Sequence, residues 1–176
     1  MTETLHDVGF VSQLSESIYN FVKMGVVRIF TDGAAKGNPG PGGYGIVMKF
    51  GNHVKEFSEG FRHTTNNRME LMAVIIALQN LKTEKFPVEV YSDSKYVIDS
   101  VTKGWAREWQ KKNFKGKKNP DLWSNFLAIE QNFKIRWHWI KGHNGHPENE
   151  RCDQLAVLAA ENSPNGIDSF YENENK

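Results

Sequence analysis

Four acidic residues, each in its own motif, carry the chemistry legible in this chain. They are Asp32 in IFTDGAAKGNPGPGG, Glu70 in TTNNRMEL, Asp93 in VYSDSKY and Asp153 in GHNGHPENERCDQLA. Two are expected at strand ends and two in the first turns of helices, where a folded α/β domain can aim carboxylates at one point. Converging carboxylates repel: at ~5 Å and an effective dielectric of ~20, each pair costs about 3 kcal/mol. A chain that gathers four of them needs a multivalent cation or must keep some protonated. Each acid also has a plainer reading. Asp32 before Gly33 suits a turn, and Asp93 after a strand suits a helix N-cap. Glu70, three residues after Asn67, suits a capping box, and Asp153 suits the positive end of a helix dipole. Their joint occurrence, in order and with distinctive flanks, is what separates a site from four ordinary caps and turns.

The elements that must position them can be read from periodicity. Val26 to Thr31 is a β-branched run that predicts a strand, followed by the turn cluster Gly37–Gly43. Tyr44–Phe50 and Val54–Phe61, joined at Gly51-Asn52, predict two more strands and an antiparallel three-strand start. Met69, Met72, Ala73, Ile76 and Leu81 mark an amphipathic helix over about 66–82, capped by Thr65 or Asn66. Phe86–Tyr91 reads as a buried strand. Ser94–Thr102 and Pro120–Gln131 read as helices flanking a basic segment, and Phe133–Ile140 alternates as a strand. Pro147 opens a last helix to about Glu161. The order predicts a mixed α/β sheet with helices on its faces.

Composition sets the bounds. The chain has 176 residues, enough for one domain with a full core. Its single cysteine, Cys152, forms no disulfide within the chain, so a reducing cytoplasm is the expected location. The sequence from Met1 has no apolar run of signal-peptide or membrane-spanning length, so no membrane partner is expected, and the chain is expected to be a monomer. Residues 1–24 read as an N-terminal extension, with Val11, Leu14, Ile18 and Phe21 at helical spacing over about 11–23. Residues 25–161 form the expected catalytic domain and 162–176 a C-terminal tail. The net charge is only +1, but Arg107, Lys111, Lys112, Lys115, Lys117 and Lys118 crowd one segment. There, Trp105, Trp109 and Phe114 interleave with the bases, a pattern suited to tracking a nucleic-acid backbone.

The blocks TDGAAKGNPGPGGYG, TTNNRMEL, SDSKYV, DLW and WIKGHNGHPENERCDQLA resemble those of type 1 ribonuclease H, the bacterial kind, over roughly residues 27–160. The resemblance implies a ribonuclease H-like α/β fold, a mixed five-stranded sheet with three antiparallel strands then two parallel and helices on both faces, and endonucleolytic cleavage of RNA within an RNA–DNA hybrid, leaving 3′-hydroxyl and 5′-phosphate ends. It implies that Asp32, Glu70, Asp93 and Asp153 are metal ligands and that His143, between Gly142 and Gly145, assists proton transfer or product release. Oxygen ligands suit Mg²⁺, or Mn²⁺, rather than zinc. Two such ions per active site, with substrate bound, serve an in-line displacement, and Asp32 on the central strand is the candidate to bridge them.

The resemblance also implies substrate contacts. Asn38 and Asn66 would face the RNA minor groove and its 2′-hydroxyls, and Thr65 and Asn67 would seat a DNA phosphate. Trp105 and Trp109 would form the groove for the DNA strand, with Lys111, Lys112, Lys115, Lys117 and Lys118 in the basic protrusion. Lys95 departs from the family's usual Gln and is expected to meet phosphate instead. Trp137, Trp139, Trp123, Phe57 and Phe61 read as packing residues. Three other readings compete: a binding module without turnover, a DNA-cleaving relative on the same architecture, and a zinc site from His138, His143, His146 and Cys152. The last has no common zinc spacing. The Asn-rich block before Glu70 favours a reader of 2′-hydroxyls over a DNA nuclease.

Overall fold

A computed structural model of the chain describes residues 25–162 and 164–174. The helix expected over 11–23 lies outside the described residues. Strand β1 (Val27–Ala35) pairs antiparallel with β2 (Gly40–Phe50), which pairs antiparallel with β3 (His53–Thr64). Strands β4 (Val88–Ser92) and β5 (Ile135–Trp139) add parallel on the other side, giving the order β3-β2-β1-β4-β5. The mixed five-stranded sheet is therefore as expected, with β1 at its centre.

Helix α1 (Asn66–Gln79) starts at Thr65, whose side chain accepts from the Arg68 N–H. It buries Met69, Leu71, Val74 and Leu78 against Ile29, Ile46, Val88 and Val90 of the sheet. Helices α2 (Lys95–Thr102), α3 (Trp105–Lys111) and α4 (Pro120–Glu130) complete this face, with Trp123 and Phe126 fully buried. Helix α5 (Pro147–Asn162) covers the opposite face, where Cys152 meets Phe30 and Val47. Alternation along β1 sends Ile29 to one face and Phe30 to the other.

Two glycines set how closely the helices lie on the sheet. A Cβ at Gly33 would stand 2.3 Å from the Glu70 backbone nitrogen, and one at Gly45 would stand 2.0 Å from the Cys152 carbonyl oxygen. Both approaches require a hydrogen in place of a side chain. Their effect is to bring the residues beside Glu70 and Asp153 down to the strand that carries Asp32. Small residues on the inner side of α5, Cys152, Ala156, Ala159 and Ala160, match this close seat.

Several boundaries differ from expectation. Strand β1 runs on to Ala35, so Asp32 lies inside it; pairing to the Gly-rich β2 backbone extends the strand where propensity does not. The basic segment holds a helix of its own, α3, in place of a bare connection. The tail carries a short helix, α6 (Ser169–Glu174). It is latched to β3 by a parallel bridge between Phe61 and Gly166 and by Arg62 bonding Glu172. Beneath it the buried Arg68 guanidinium bonds Asp168 at 2.6 and 2.8 Å and Asp121 at 2.6 and 2.9 Å, joining α1, α4 and the tail. Trp139 is not a packing residue: it is 47% exposed, whereas Trp123 is 0% exposed.

Replacing Gly45 by Ala forces α5 off the sheet. The expected result is a loss of about 3 kcal/mol of stability, a melting temperature lower by about 5–10 °C, and impaired function through Asp153. Calorimetry of the variant checks this; an unchanged melting temperature contradicts it.

Candidate active site

Strand register brings the first two acids together. The β1–β4 pairing ends at Thr31 and Ser92, so Asp32 and Asp93 follow side by side where the two parallel strands diverge. Glu70 arrives from the second turn of α1 over Gly33, and Asp153 from the second turn of α5 over Gly45. The four acids line one open cleft of about 470 Å³, with Asn66 and His143 at its edge. Among the described residues lining that cleft there is no Lys or Arg.

Asp93 and Glu70 do not play their simpler parts. Asp32 bonds the Gly33 N–H at 2.7 Å but is buried, at 8% exposure. The N-cap of α2 is Ser94, not Asp93. Glu70 makes no capping box; one of its oxygens accepts from Asn66 Nδ2 at 2.8 Å and the other from Ser94 Oγ in a short hydrogen bond. Asp93 is held by Asn149 Nδ2 at 3.3 Å, and its carbonyl accepts from the Trp139 indole at 3.0 Å.

Crowding shows in the protonation of the site. Burial pushes the Asp32 carboxyl up to about 8, aided by the charges of Asp93, Asp153 and Glu70. Burial raises Glu70 to about 7, reinforced by Asp93 and opposed by the Ser94 and Asn66 hydrogen bonds. Such shifts mark a place that resists negative charge without a counter-cation. Among the described residues no group of three or more His, Cys, Asp or Glu is by itself disposed to hold a metal ion. The acids ring an open cleft, which suits a hard cation that keeps waters and takes phosphate oxygens as further ligands. The donor set thus fits Mg²⁺ or Mn²⁺. It does not fit zinc: Cys152 is fully buried against the Phe30 carbonyl with its thiol pushed up by burial, and His138 stacks on Tyr91 at 4.5 Å.

A second cleft, of about 490 Å³, adjoins the first across residues 65–67. Asn38, Thr65 and Asn67 line it, as do Lys117, Lys118 and Asn119. Asn38 Oδ1 also accepts from the Asn66 N–H at 3.2 Å, tying the two clefts together. The other expected substrate-binding residues are spread more widely. Lys111 pairs with Glu108, and Lys112 and Lys115 are exposed away from both clefts. Trp105 is 44% exposed under Lys103, while Trp109 packs edge-on against Trp123 with Lys117 above its ring. Lys95 sits 5.1 Å over the Trp139 ring, beside the acids but not lining their cleft. His143 is exposed on its loop with φ 52°. Ser94, Asn149 and Asn119 are site residues that the sequence did not single out. Ser94 and Asn149 lie inside quoted motifs and Asn119 stands just before DLW, but the partner of each lies far off along the chain.

The family model for RNase H matches residues 24–161. The chain belongs to the ribonuclease H family. It is 53% identical over 139 residues to the ribonuclease H of Desulforamulus reducens, covering 76% of this chain and 87% of that one. It is 53% identical over 151 residues to that of Psychromonas ingrahamii, covering 83% and 97%. Among solved structures it is similar to LC9-RNase H1, a type 1 RNase H with the type 2 active-site motif, at a TM-score of 0.71 and 30% identity over 86% of this chain and 81% of that one. It is also similar to LC11-RNase H1 in complex with an RNA/DNA hybrid, at a TM-score of 0.59 and 28% identity, covering 76% and 96%. This ribonuclease H is an endoribonuclease by family, and its fold is the ribonuclease H fold. No helix among its described residues is long and apolar enough to cross a membrane.

The raised carboxyls set the sign of a pH effect. From about pH 4 to about 8 the unfolded chain ionises Asp32 and Glu70 before the folded chain does, so their contribution to stability falls as pH rises through that window. In chelator, Asp32→Asn is expected to melt higher than the parent at pH 8, with the gap closing by about pH 4. Melting curves across that range check it; a gap that does not vary with pH contradicts it.

Proposed function

We propose that this ribonuclease H cleaves the RNA strand of RNA–DNA hybrids endonucleolytically, with Mg²⁺ or Mn²⁺, leaving 3′-hydroxyl and 5′-phosphate ends. The observation that carries the reading is the convergence of Asp32, Glu70, Asp93 and Asp153 on one cleft, next to a polar, lysine-rimmed second cleft. Two divalent cations bound with the scissile phosphate would activate the attacking water and stabilise the leaving oxygen. Asp32, the most enclosed of the acids and central in the sheet, would hold them together with Glu70, Asp93 and Asp153.

The chain's own groups supply the rest. Ser94, Asn66 and Asn149 hold Glu70 and Asp93 in fixed orientation, so little reorganisation is needed when the acids ionise. Asn66 and Asn38, beside the acids and in the neighbouring cleft, would bond 2′-hydroxyls in a wide minor groove, which is the chemistry that tells RNA from DNA. Thr65, Asn67 and Asn119 offer short polar groups to a phosphate of the opposite strand, and Lys117 and Lys118 add charge at the rim. His143, on an exposed loop at the edge of the acidic cleft, would take up or return a proton as product leaves. Lys95, held over Trp139, and the Trp105–Lys115 segment extend the binding surface and serve affinity.

Asp32→Asn removes a charge while keeping the shape. It is expected to lower cleavage of a hybrid in Mg²⁺ by at least about a thousandfold while leaving hybrid binding in place. Chelation of the parent should do the same. RNA release from labelled hybrid measures both; full activity in either case, or preferential cleavage of all-DNA duplex, overturns the proposal. Lys117→Ala with Lys118→Ala should raise KM with little change in kcat, and should flatten the dependence of log KM on log salt by about one for each phosphate that the lysines had neutralised. An unaltered salt slope would remove these lysines from the binding surface.

A further inference from the structure

The far end of the sheet carries an apolar pocket that the acidic site does not use. It holds about 280 Å³ and is walled by Val27, Met48, Phe50, Leu81 and Phe86. These come from the start of β1, the end of β2 and the segment between α1 and β4. Val27 begins β1 and Asp32 follows five residues on, so about 16 Å of strand separates this pocket from the acids. The walls are held in place. The Phe50 and Phe86 rings pack with centres 4.7 Å apart, and the Val27 N–H donates to the Pro87 carbonyl at 3.0 Å. Yet Val27, Phe50, Leu81 and Phe86 are only half-buried. A preformed apolar hollow gains free energy from being covered. At about 280 Å³ it falls just short of the ~300–1,000 Å³ usual for small-molecule sites, and it suits inserted side chains better.

The chain leads an occupant to this place. Gly25 lies against Phe50 so closely that a Cβ there would stand 2.7 Å from the ring. Residues 1–24, outside the described residues, therefore join the domain at the edge of the pocket. Their sequence sets Val11, Leu14, Ile18 and Phe21 on one helical stripe. Phe21 precedes Gly25 by four residues, a span of ~6 Å as helix and ~14 Å as extended chain, so its ring reaches the pocket either way. Charge agrees with the match. Glu3, Asp7 and Glu16 outnumber Lys23 in the segment, whereas Lys55 and Lys82 stand exposed at the rim of the pocket. A segment with an excess of acids is poorly suited to a nucleic-acid backbone. We propose that residues 11–23 dock as an amphipathic helix over this pocket, with Phe21 inserted beside Phe50 and Phe86 and Ile18 resting on Leu81. The extension is then a brace on the end of the sheet where β1 enters, and it takes no part in the chemistry.

A thiol placed in the pocket reports whether it is covered. The full chain carrying Leu81→Cys is treated with a maleimide; the native Cys152, 0% exposed, stays silent. Adding Phe21→Asp is expected to speed labelling of the pocket thiol by at least about tenfold. Adding Asn20→Ala, on the opposite side of the stripe, should leave the rate unchanged. In the chain with Leu81 intact, Phe21→Asp should lower the melting temperature by about 3–6 °C, while kcat and KM for hybrid stay within about twofold. This melting comparison needs no change in the pocket, so it stands even where Leu81→Cys unsettles the segment after α1. A labelling rate unmoved by Phe21→Asp, together with an unmoved melting temperature, overturns the proposal. Protection that is lost on dilution also overturns it, since a second copy of the chain would then be the cover. So does a raised KM with an unaltered melting temperature, which would give the extension to the substrate.

Discussion

Mutual repulsion among carboxylates is the constraint on which the rest of this structure depends. Asp32 inside β1 and Asp93 just past the end of β4 stand at the same level, and two helices deliver Glu70 and Asp153 to the same cleft. Nothing among those four side chains attracts them to one another. The fold holds them there through backbone pairing and close helix seating, and the strain appears as protons retained on Asp32 and Glu70. A site of this kind is assembled at the expense of stability and in readiness for positive charge, a common relation between active sites and the scaffolds that carry them.

The scaffold answers with order elsewhere. Gly33 and Gly45 permit the approaches, and a core on each sheet face makes them rigid. Arg68 is the other organising charge. It stands close before Glu70 in α1, yet its side chain is committed away from the acids, to a pair with Asp121 and Asp168. Positive charge inside the domain is thereby given to architecture, and the acidic cleft is left without a protein cation. The lysines that remain at the cleft boundary line the neighbouring cleft, so an anionic strand can be held beside the acids without neutralising them.

Much of this was legible in the sequence, for reasons that differ by element. The four acids could be named because they occur together in motifs that resemble a family's, and some of the flanking glycines are fixed by geometry: Gly33 by the approach of α1, and the glycines before Tyr44 and Ile46 by the approach of α5. The strands and their antiparallel start followed from hydrophobic runs and short turns. Residues 32–35 were not legible as strand, because DGAA has no strand propensity and is extended only by its partner β2. Helix α6 was not legible because so short a helix owes its place to Asp168 bonding a residue 100 positions away. Trp139 reads as packing for a related reason. Its alternation in β5 is that of a half-buried strand, but the last residue of an edge strand faces solvent, where its indole fixes the Asp93 carbonyl.

The central claim is that four carboxylates share their charge with divalent cation at one place. Calorimetric titration of the chain with Mn²⁺ at pH 7, in two buffers of different ionisation enthalpy, tests it most directly. If the claim holds, cation binding drives protons off Asp32 and Glu70, the apparent enthalpy differs between buffers, and Asp32→Asn reduces that difference. Binding with no proton release, or with release untouched by Asp32→Asn, would contradict it.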